Sequence, residues 1–159
     1  MKAEETIDFP IRWAWHKISR LYNLEANRQN FTMSMGYALL NIDRKKGTPS
    51  TKLGPLMGME SRSLTRTLKT MEEKGFITRI PDEIDKRSVR IHLTDLGAEV
   101  REISKLTVIN LNNKLKERLS EEELNTFFQV IGKINDTLDR TSQLTEMNQL
   151  NKRIETLKQ

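Results

Sequence analysis

Apolar positions recur with helical spacing along most of the chain and change to a two-residue period only once. From residue 8 to about 28, Ile11, Trp13, Ala14, Trp15, Ile18, Leu21, Tyr22 and Leu24 wrap more than half of a helical circumference. Asp8 is placed to cap that helix, and Pro10 lies near its first turn, where a missing N–H costs nothing. A helix apolar over so wide an arc must meet two surfaces, its own core and a partner subunit. A second helix is expected over 31–46, starting near Thr32 or Ser34, with Met35, Leu39 and Ile42 as its stripe and Ala38 beside them. Arg44-Lys45-Lys46 closes it at the negative end of the helix dipole. Gly47-Thr48-Pro49 breaks the pattern. Ser50 then caps a short helix to about Met57, in which Gly54-Pro55 invites a kink.

Gly58 turns the chain into an amphipathic helix over 61–74, with Ser61 as its expected N-cap. Leu64, Leu68 and Met71 share one face at i, i+4 and i+7, while Arg62, Arg66 and Lys69 fall roughly opposite. Gly75 ends it as a residue free to take positive φ. The period then changes. An apolar run over 76–80, a polar turn, and Val89, Ile91 and Leu93 alternating with Arg90 and His92 predict a two-stranded hairpin. Thr94 caps a long helix running from Asp95 to about Arg118, with Leu96, Val100, Ile103, Leu106 or Thr107, Leu111 and Leu115 along it. Ser120 and Glu123 form a capping box that opens a last helix. Leu124, Phe127, Phe128, Ile131, Ile134 and Leu138 line that helix; the pattern weakens over 141–145 and resumes at Leu144, Met147, Leu150, Ile154 and Leu157. The fold is therefore mainly α: a winged helix-turn-helix with a two-stranded β-hairpin wing, between long N- and C-terminal helices that form a dimer body. A short helix, a cationic helix and a basic-tipped hairpin fit a DNA groove and its flank.

Composition agrees with one extended domain. In 159 residues the hydrophobic fraction is 36% and the charged fraction 31%, which suits a chain that completes its core by pairing with a copy of itself. The net charge of +5 is unevenly placed: 12 of 27 Lys/Arg but only 6 of 22 Asp/Glu lie between Arg44 and Arg90, a balance of +6 against −1 elsewhere. That is the footprint of a polyanion site. With no cysteine, disulfides, thiolate metal sites and thiol switches are excluded. Neither a secretory signal nor a run of the ~20 apolar residues needed to span a membrane is present, so a cytoplasmic protein with no membrane partner is expected. There is no nucleophile–base pairing, phosphate-binding glycine loop or metal cluster, so neither an enzyme nor a cofactor is expected. His16 and His92 are far apart in sequence and suggest no metal site.

The wing and its exit, Asp85-Lys86-Arg87-Ser88-Val89-Arg90-Ile91-His92-Leu93-Thr94-Asp95-Leu96-Gly97, resemble the D-x-R-x-x-x-L-x-L-T-x-x-G signature of the multiple-antibiotic-resistance regulator (MarR) family, with Ile91 where Leu is usual. Leu64-Thr65-Arg66, Leu68, Met71-Glu72, Gly75-Phe76-Ile77 and Arg79 are similar to that family's recognition helix and first wing strand, and 119–123 to the start of its last helix. The resemblance covers roughly residues 11–138. It implies a single domain over 1–159, with dimerisation helices over 8–30 and 95–159 and a DNA-binding lobe over 32–94. It also implies a homodimer on a pseudo-palindromic double-stranded operator, and repression relieved by a small ligand.

Within that frame Arg62 and Arg66 are the expected base readers, because Arg bonds bidentately to guanine in the major groove. Ser61, Ser63, Thr65 and Lys69 suit phosphates or thymine methyls; a plain solvated helix face is the bland alternative. Arg87 at the wing tip suits a narrow minor groove, with Asp85 shaping the tip and Lys86 beside it. Arg44, Lys45 and Lys46 read either as dipole complement or as DNA backbone contacts. Trp13, His16 and Tyr37 read either as interface packing or as the lining of a cleft for a small apolar or phenolic effector. The competing function is a dimeric winged-helix interaction module that does not read DNA sequence; the +6 balance argues against it.

Overall fold

The computed structural model describes residues 2–82 and 88–142. A 3-10 turn at Ala3–Glu5 leads into helices α1 (Asp8–Arg28), α2 (Met33–Leu40), α3 (Ser50–Met57), α4 (Ser61–Glu73), α5 (Asp95–Lys116) and α6 (Glu121–Ser142); strands β1 (Thr48–Pro49), β2 (Ile77–Pro81) and β3 (Val89–Leu93) form an antiparallel sheet in the order β1-β3-β2. The chain divides into two compact units, 1–111 and 112–159. Among the described residues no helix is long and apolar enough to cross a membrane.

The first unit holds the winged helix-turn-helix. Its core gathers Ala26 and Phe31 with Met35, Ala38, Leu39 and Ile42, Leu53 of α3, Leu64, Leu68 and Met71 of α4, Phe76, Ile77 and Ile91 of the wing, and Val100 of α5. The helical stripes expected for α2 and α4 and the alternation expected for β3 are thus the faces that meet. The hairpin pairs Ile77 with Leu93 and Arg79 with Ile91. It gains a third strand that the sequence pattern did not suggest: Thr48 and Pro49 pair with Ile91 and Arg90.

Sharp joints connect the helices. At the ends of α1, α3 and α4 the same pair of bonds closes the last turn, Phe31 N–H to Ala26 O with Asn30 N–H to Asn27 O, Met59 to Gly54 with Gly58 to Pro55, and Phe76 to Met71 with Gly75 to Glu72. The residue between is left-handed each time: Asn30 at φ 59°, Gly58 at 60° and Gly75 at 73°. This Schellman closure satisfies the final carbonyls and turns the chain back at once. Helix α3 stays continuous across Pro55; the proline removes one bond, to the Thr51 carbonyl, without breaking an eight-residue helix.

The expected N-caps fall one residue later than the observed ones. Ile7, Pro49 and Glu60 hold the cap positions of α1, α3 and α4, none with a side-chain cap bond, so Asp8, Ser50 and Ser61 are first helical residues. Where a hydroxyl is placed one turn before a free N–H the caps form as expected: Thr32 accepts from Met35 N–H at 3.3 Å, and Ser120 and Glu123 bond reciprocally at 3.2 and 2.8 Å.

Helix α2 is shorter than its apolar stripe implied. It stops at Leu40, and Asn41 turns its side-chain amide back onto the Tyr37 carbonyl at 2.9 Å. Such local side-chain bonding competes with helix continuation.

Thr94 joins wing, recognition helix and α5. Its N–H donates to Phe76 O at 3.1 Å, its hydroxyl donates to Gly75 O at 2.6 Å, and the same oxygen accepts from Gly97 N–H at 2.9 Å. The first turn of α5 lies so close that a Cβ at Gly97 would fall on the Phe76 carbonyl oxygen. Gly97→Ala is expected to destabilise the protein by about 3 kcal/mol, the upper range for overpacking against unyielding backbone, and Thr94→Ala by about 1–2 kcal/mol through the lost cap; urea unfolding measures both.

Candidate nucleic-acid interface

Helix α4 presents two unlike faces. Leu64, Leu68 and Met71 are buried; Ser61, Arg62, Ser63, Thr65, Arg66 and Lys69 are exposed together on the other side. Among the described residues Arg62 and Arg66 carry no ion pair, so both guanidinium groups face solvent unneutralised. Lys69 lies 3.8 Å from Glu73 one turn on, both exposed, a pair too solvated to hold the ammonium firmly. The hydroxyls of Thr65, Thr67 and Thr70 donate to the carbonyls of Ser61, Ser63 and Arg66 at 2.8, 3.0 and 3.2 Å. Glu72 sits 3.0 Å from Arg79 Nε of β2, close enough for charge attraction though the N–H is not aligned for a hydrogen bond.

The basic triplet does not close a helix, which corrects the dipole reading. Arg44, Lys45 and Lys46 occupy a turn organised by Asp43, whose Oδ1 accepts from the N–H of Lys45 at 2.8 Å and of Lys46 at 2.7 Å. Buried Thr48 braces the turn from below, accepting from Asp43 N–H and donating to Asn41 O. The three side chains diverge. Arg44 turns to Glu102 of α5 at 3.3 Å, a carboxylate also approached by Arg101 and Lys105. Lys45 and Lys46 carry no ion pair among the described residues and border a cleft of about 410 Å³ with Ile80, Pro81, Asp82, Arg90 and His92. Asp85, Lys86 and Arg87 lie outside the described residues.

The candidate effector residues separate. Tyr37 lines a cavity of about 30 Å³ with Tyr22, Phe31, Gly36 and Ser104, between α1, α2 and α5. Trp13 and His16 are not in its lining; they are exposed on α1 and stack on one another at 5.8 Å, with Phe9 against Trp13. Trp15 is the tryptophan that reaches the cavity wall, stacked on Tyr37 at 6.3 Å, while Tyr22 meets Tyr37 edge-on at 6.1 Å. Burial pushes both phenols up from their ordinary value, and the neighbouring Tyr22 adds to the effect at Tyr37.

Asp43, Asp82 and Arg90 help to build the site without standing out in the sequence as site residues. An aspartate directly before a basic run can accept the N–H two residues on, the signature of an Asx turn, and that signal marks the first. The partners of Asp82 and Arg90 lie on separate segments, and spacing alone does not reveal them.

A short helix turned sharply into a cationic helix, followed by a hairpin whose stem packs on that helix, defines a winged helix-turn-helix of the kind used by DNA-binding regulators. The chain belongs to the MarR family: the model of that family matches residues 31–89, and the chain is 33% identical over 102 residues to the organic hydroperoxide resistance transcriptional regulator of Bacillus subtilis (strain 168), covering 64% of this chain and 69% of that protein. Two solved structures show the same fold. The S. aureus MepR–DNA complex matches with a TM-score of 0.77 at 20% identity, over 83% of this chain and 98% of that one. PcaV from Streptomyces coelicolor, in complex with its natural ligand, matches with a TM-score of 0.70 at 18% identity, over 86% and 96%. The relatives and the fold are those of transcriptional regulators, not of enzymes.

The Asp43 turn gives a pH dependence of known sign. The N–H of Lys46, then that of Lys45, hold the Asp43 carboxyl below its ordinary range. Its contribution to the turn is present above the ordinary aspartate pKa and lost as pH falls through the lower folded value. In NMR from pH 5 to pH 2 the amides of Lys45 and Lys46 are expected to move upfield together, with a midpoint below that of an unstructured aspartate.

Proposed function

We propose that the chain acts as a homodimeric, sequence-specific repressor that binds a pseudo-palindromic operator and is released by a small apolar or phenolic ligand. The observation that carries the reading is the face of α4, where Arg62 and Arg66 stand exposed and unneutralised among the described residues, opposite the buried Leu64, Leu68 and Met71. Arg66 and Arg62 read guanine edges in the major groove. Ser61, Ser63, Thr65 and Lys69 touch phosphates or thymine methyls. Lys45 and Lys46 take the flanking backbone, and from the sequence Asp85, Lys86 and Arg87 form the wing tip, with Arg87 in the minor groove. Pairing of two chains is supported by helix α1, which buries only Tyr22 and Ala26 and leaves Ile11, Trp13, Trp15, Leu21 and Leu24 exposed in one copy.

Selection of bound duplexes from random sequence tests the reading. An inverted repeat with half-sites about one helical turn apart, bound by two chains, is expected. Enrichment of no sequence over background would favour the interaction module instead. On the selected duplex, Arg66→Ala is expected to relax preference at one base position by about 1–3 kcal/mol. Arg87→Ala is expected to weaken all sequences and flatten the salt dependence by about one unit. Equal, sequence-blind losses from both would show the readers misassigned.

The cavity between α1, α2 and α5 supports the effector. At about 30 Å³ it holds little more than a water, so an aromatic ligand must widen it and thereby favour a different spacing of the two lobes. Loosening DNA tenfold requires about 1.4 kcal/mol of differential affinity, and operator must weaken the ligand by the same factor. Because Trp15 stacks on Tyr37 of the cavity wall, its fluorescence reports occupancy. Titration with phenols and aryl carboxylates is expected to give at least one quencher whose affinity falls when the selected duplex is present; a quencher indifferent to DNA would remove the coupling.

A further inference from the structure

Strand β3 carries Ile91 into the core, so Arg90 and His92 emerge on the other side of the sheet. There Arg90 is held on two sides. Its Nε donates to Asp82 Oδ2 at 2.9 Å, its Nη2 forms an ion pair with the same oxygen at 2.7 Å, and its Nη1 donates to the carbonyls of Lys46 and Gly47 at 3.2 and 3.3 Å. Asp82 is 5% exposed, and its own N–H donates to Ser88 O at 2.9 Å across the base of the wing. The turn lies flush against β3: Gly47 has φ +63°, and a Cβ there would come within 2.7 Å of the His92 ring and the Ile91 carbonyl. One guanidinium thus fastens the wing stem to the turn that carries Lys45 and Lys46.

We propose that Arg90 and Asp82 are a positioning clasp for DNA binding: they hold the basic turn against the wing so that Lys45 and Lys46 face the DNA backbone as one cationic ridge. Arg90 itself is not a phosphate contact, because Asp82 neutralises it and its N–H groups are directed to protein oxygens. The proposal rests on the DNA-binding reading above. It has a consequence of unexpected sign. Removing a negative charge beside DNA should tighten binding by simple electrostatics. If Asp82 works by holding Arg90, removing its charge weakens binding.

The test uses the full-length protein and a duplex of about 30 base pairs from the selection, with anisotropy read from 50 to 200 mM salt. Asp82→Asn is expected to bind about tenfold more weakly, with a salt slope shallower by one to two units, since the slope counts phosphate contacts. Arg90→Lys keeps the charge but cannot bridge a carboxylate and two carbonyls, and is expected to behave alike. Lys45→Gln/Lys46→Gln, a surface change that leaves the clasp intact, is expected to lose the same slope, and Asp82→Asn added to it should flatten the slope no further. Amide exchange should rise at 45–48 in the clasp variants while α4 stays protected, which a general loosening of the lobe would not give. Asp82→Asn or Arg90→Lys binding as tightly as the parent with its full slope overturns the proposal, as does an unchanged slope in the double lysine variant. If Asp82→Asn does not fold, Arg90→Lys decides by the same criteria. A parent protein that binds no duplex overturns the DNA-binding reading itself and this proposal with it.

Discussion

The winged lobe depends on a crossing of backbone at Thr94. The end of the recognition helix, the exit of the wing and the start of α5 converge on one residue, whose N–H donates to Phe76 O and whose hydroxyl meets Gly75 O and Gly97 N–H. All three groups belong to helix or strand ends, where backbone donors and acceptors lack regular partners. Gly97 then allows the first turn of α5 to rest on the Phe76 carbonyl. That approach adds a fixed backbone contact to apolar packing, which fixes volume better than angle. The T-x-x-G element of the sequence is therefore a geometrical requirement on the lobe before it is a mark of kinship.

Charge is organised by short carboxylate contacts rather than by raw excess. Asp43 gathers two backbone amides beneath the basic triplet, Asp82 fixes Arg90, and Glu102 draws Arg44 towards α5. A net positive region of sequence thus becomes a surface with some cations held and others free. Arg62, Arg66, Lys45 and Lys46 are free of ion pairs among the described residues; Arg44, Arg79 and Arg90 are paired. Counting positive residues between 44 and 90 locates the surface but does not separate these two groups.

That difference marks how far the sequence could be read. The helices, the recognition helix with its two faces, the wing strands, the Thr94 cap and the Ser120–Glu123 capping box follow from periodicity and from short-range capping chemistry, and apart from α2, which ends six residues early at Leu40, they are found within a residue or two of their expected places. The misplacements have local causes. Asn41 diverts the end of α2, while Glu60 and Pro49 take cap positions that hydroxyl preference gives to Ser61 and Ser50. Strand β1 is two residues long and contains a proline, too short for any alternation to show. In the candidate site the helix-borne residues were legible because spacing puts them on one face. Tyr37 and Trp15 meet across α1 and α2, and Arg90 meets Lys46 across 44 positions; no periodicity encodes such contacts. Trp13 and His16, grouped with Tyr37 for their chemistry, sit a turn apart on the outer side of α1.

The threonines of α4 carry one more consequence. Thr65, Thr67 and Thr70 each return their hydroxyl hydrogen to a carbonyl one turn back, which leaves only oxygen lone pairs and methyl groups to face outward. A β-branched side chain tethered this way has little rotamer freedom left to lose, so the entropy of ordering it is settled when the helix folds rather than when a partner arrives. The exposed Thr65 then offers a partner an acceptor and a methyl at fixed places but no donor. On the proposed DNA-binding reading, such a surface suits the amino groups of adenine and cytosine or the methyl of thymine rather than the acceptor-rich edge of guanine, and guanine falls to the longer, freer arginines.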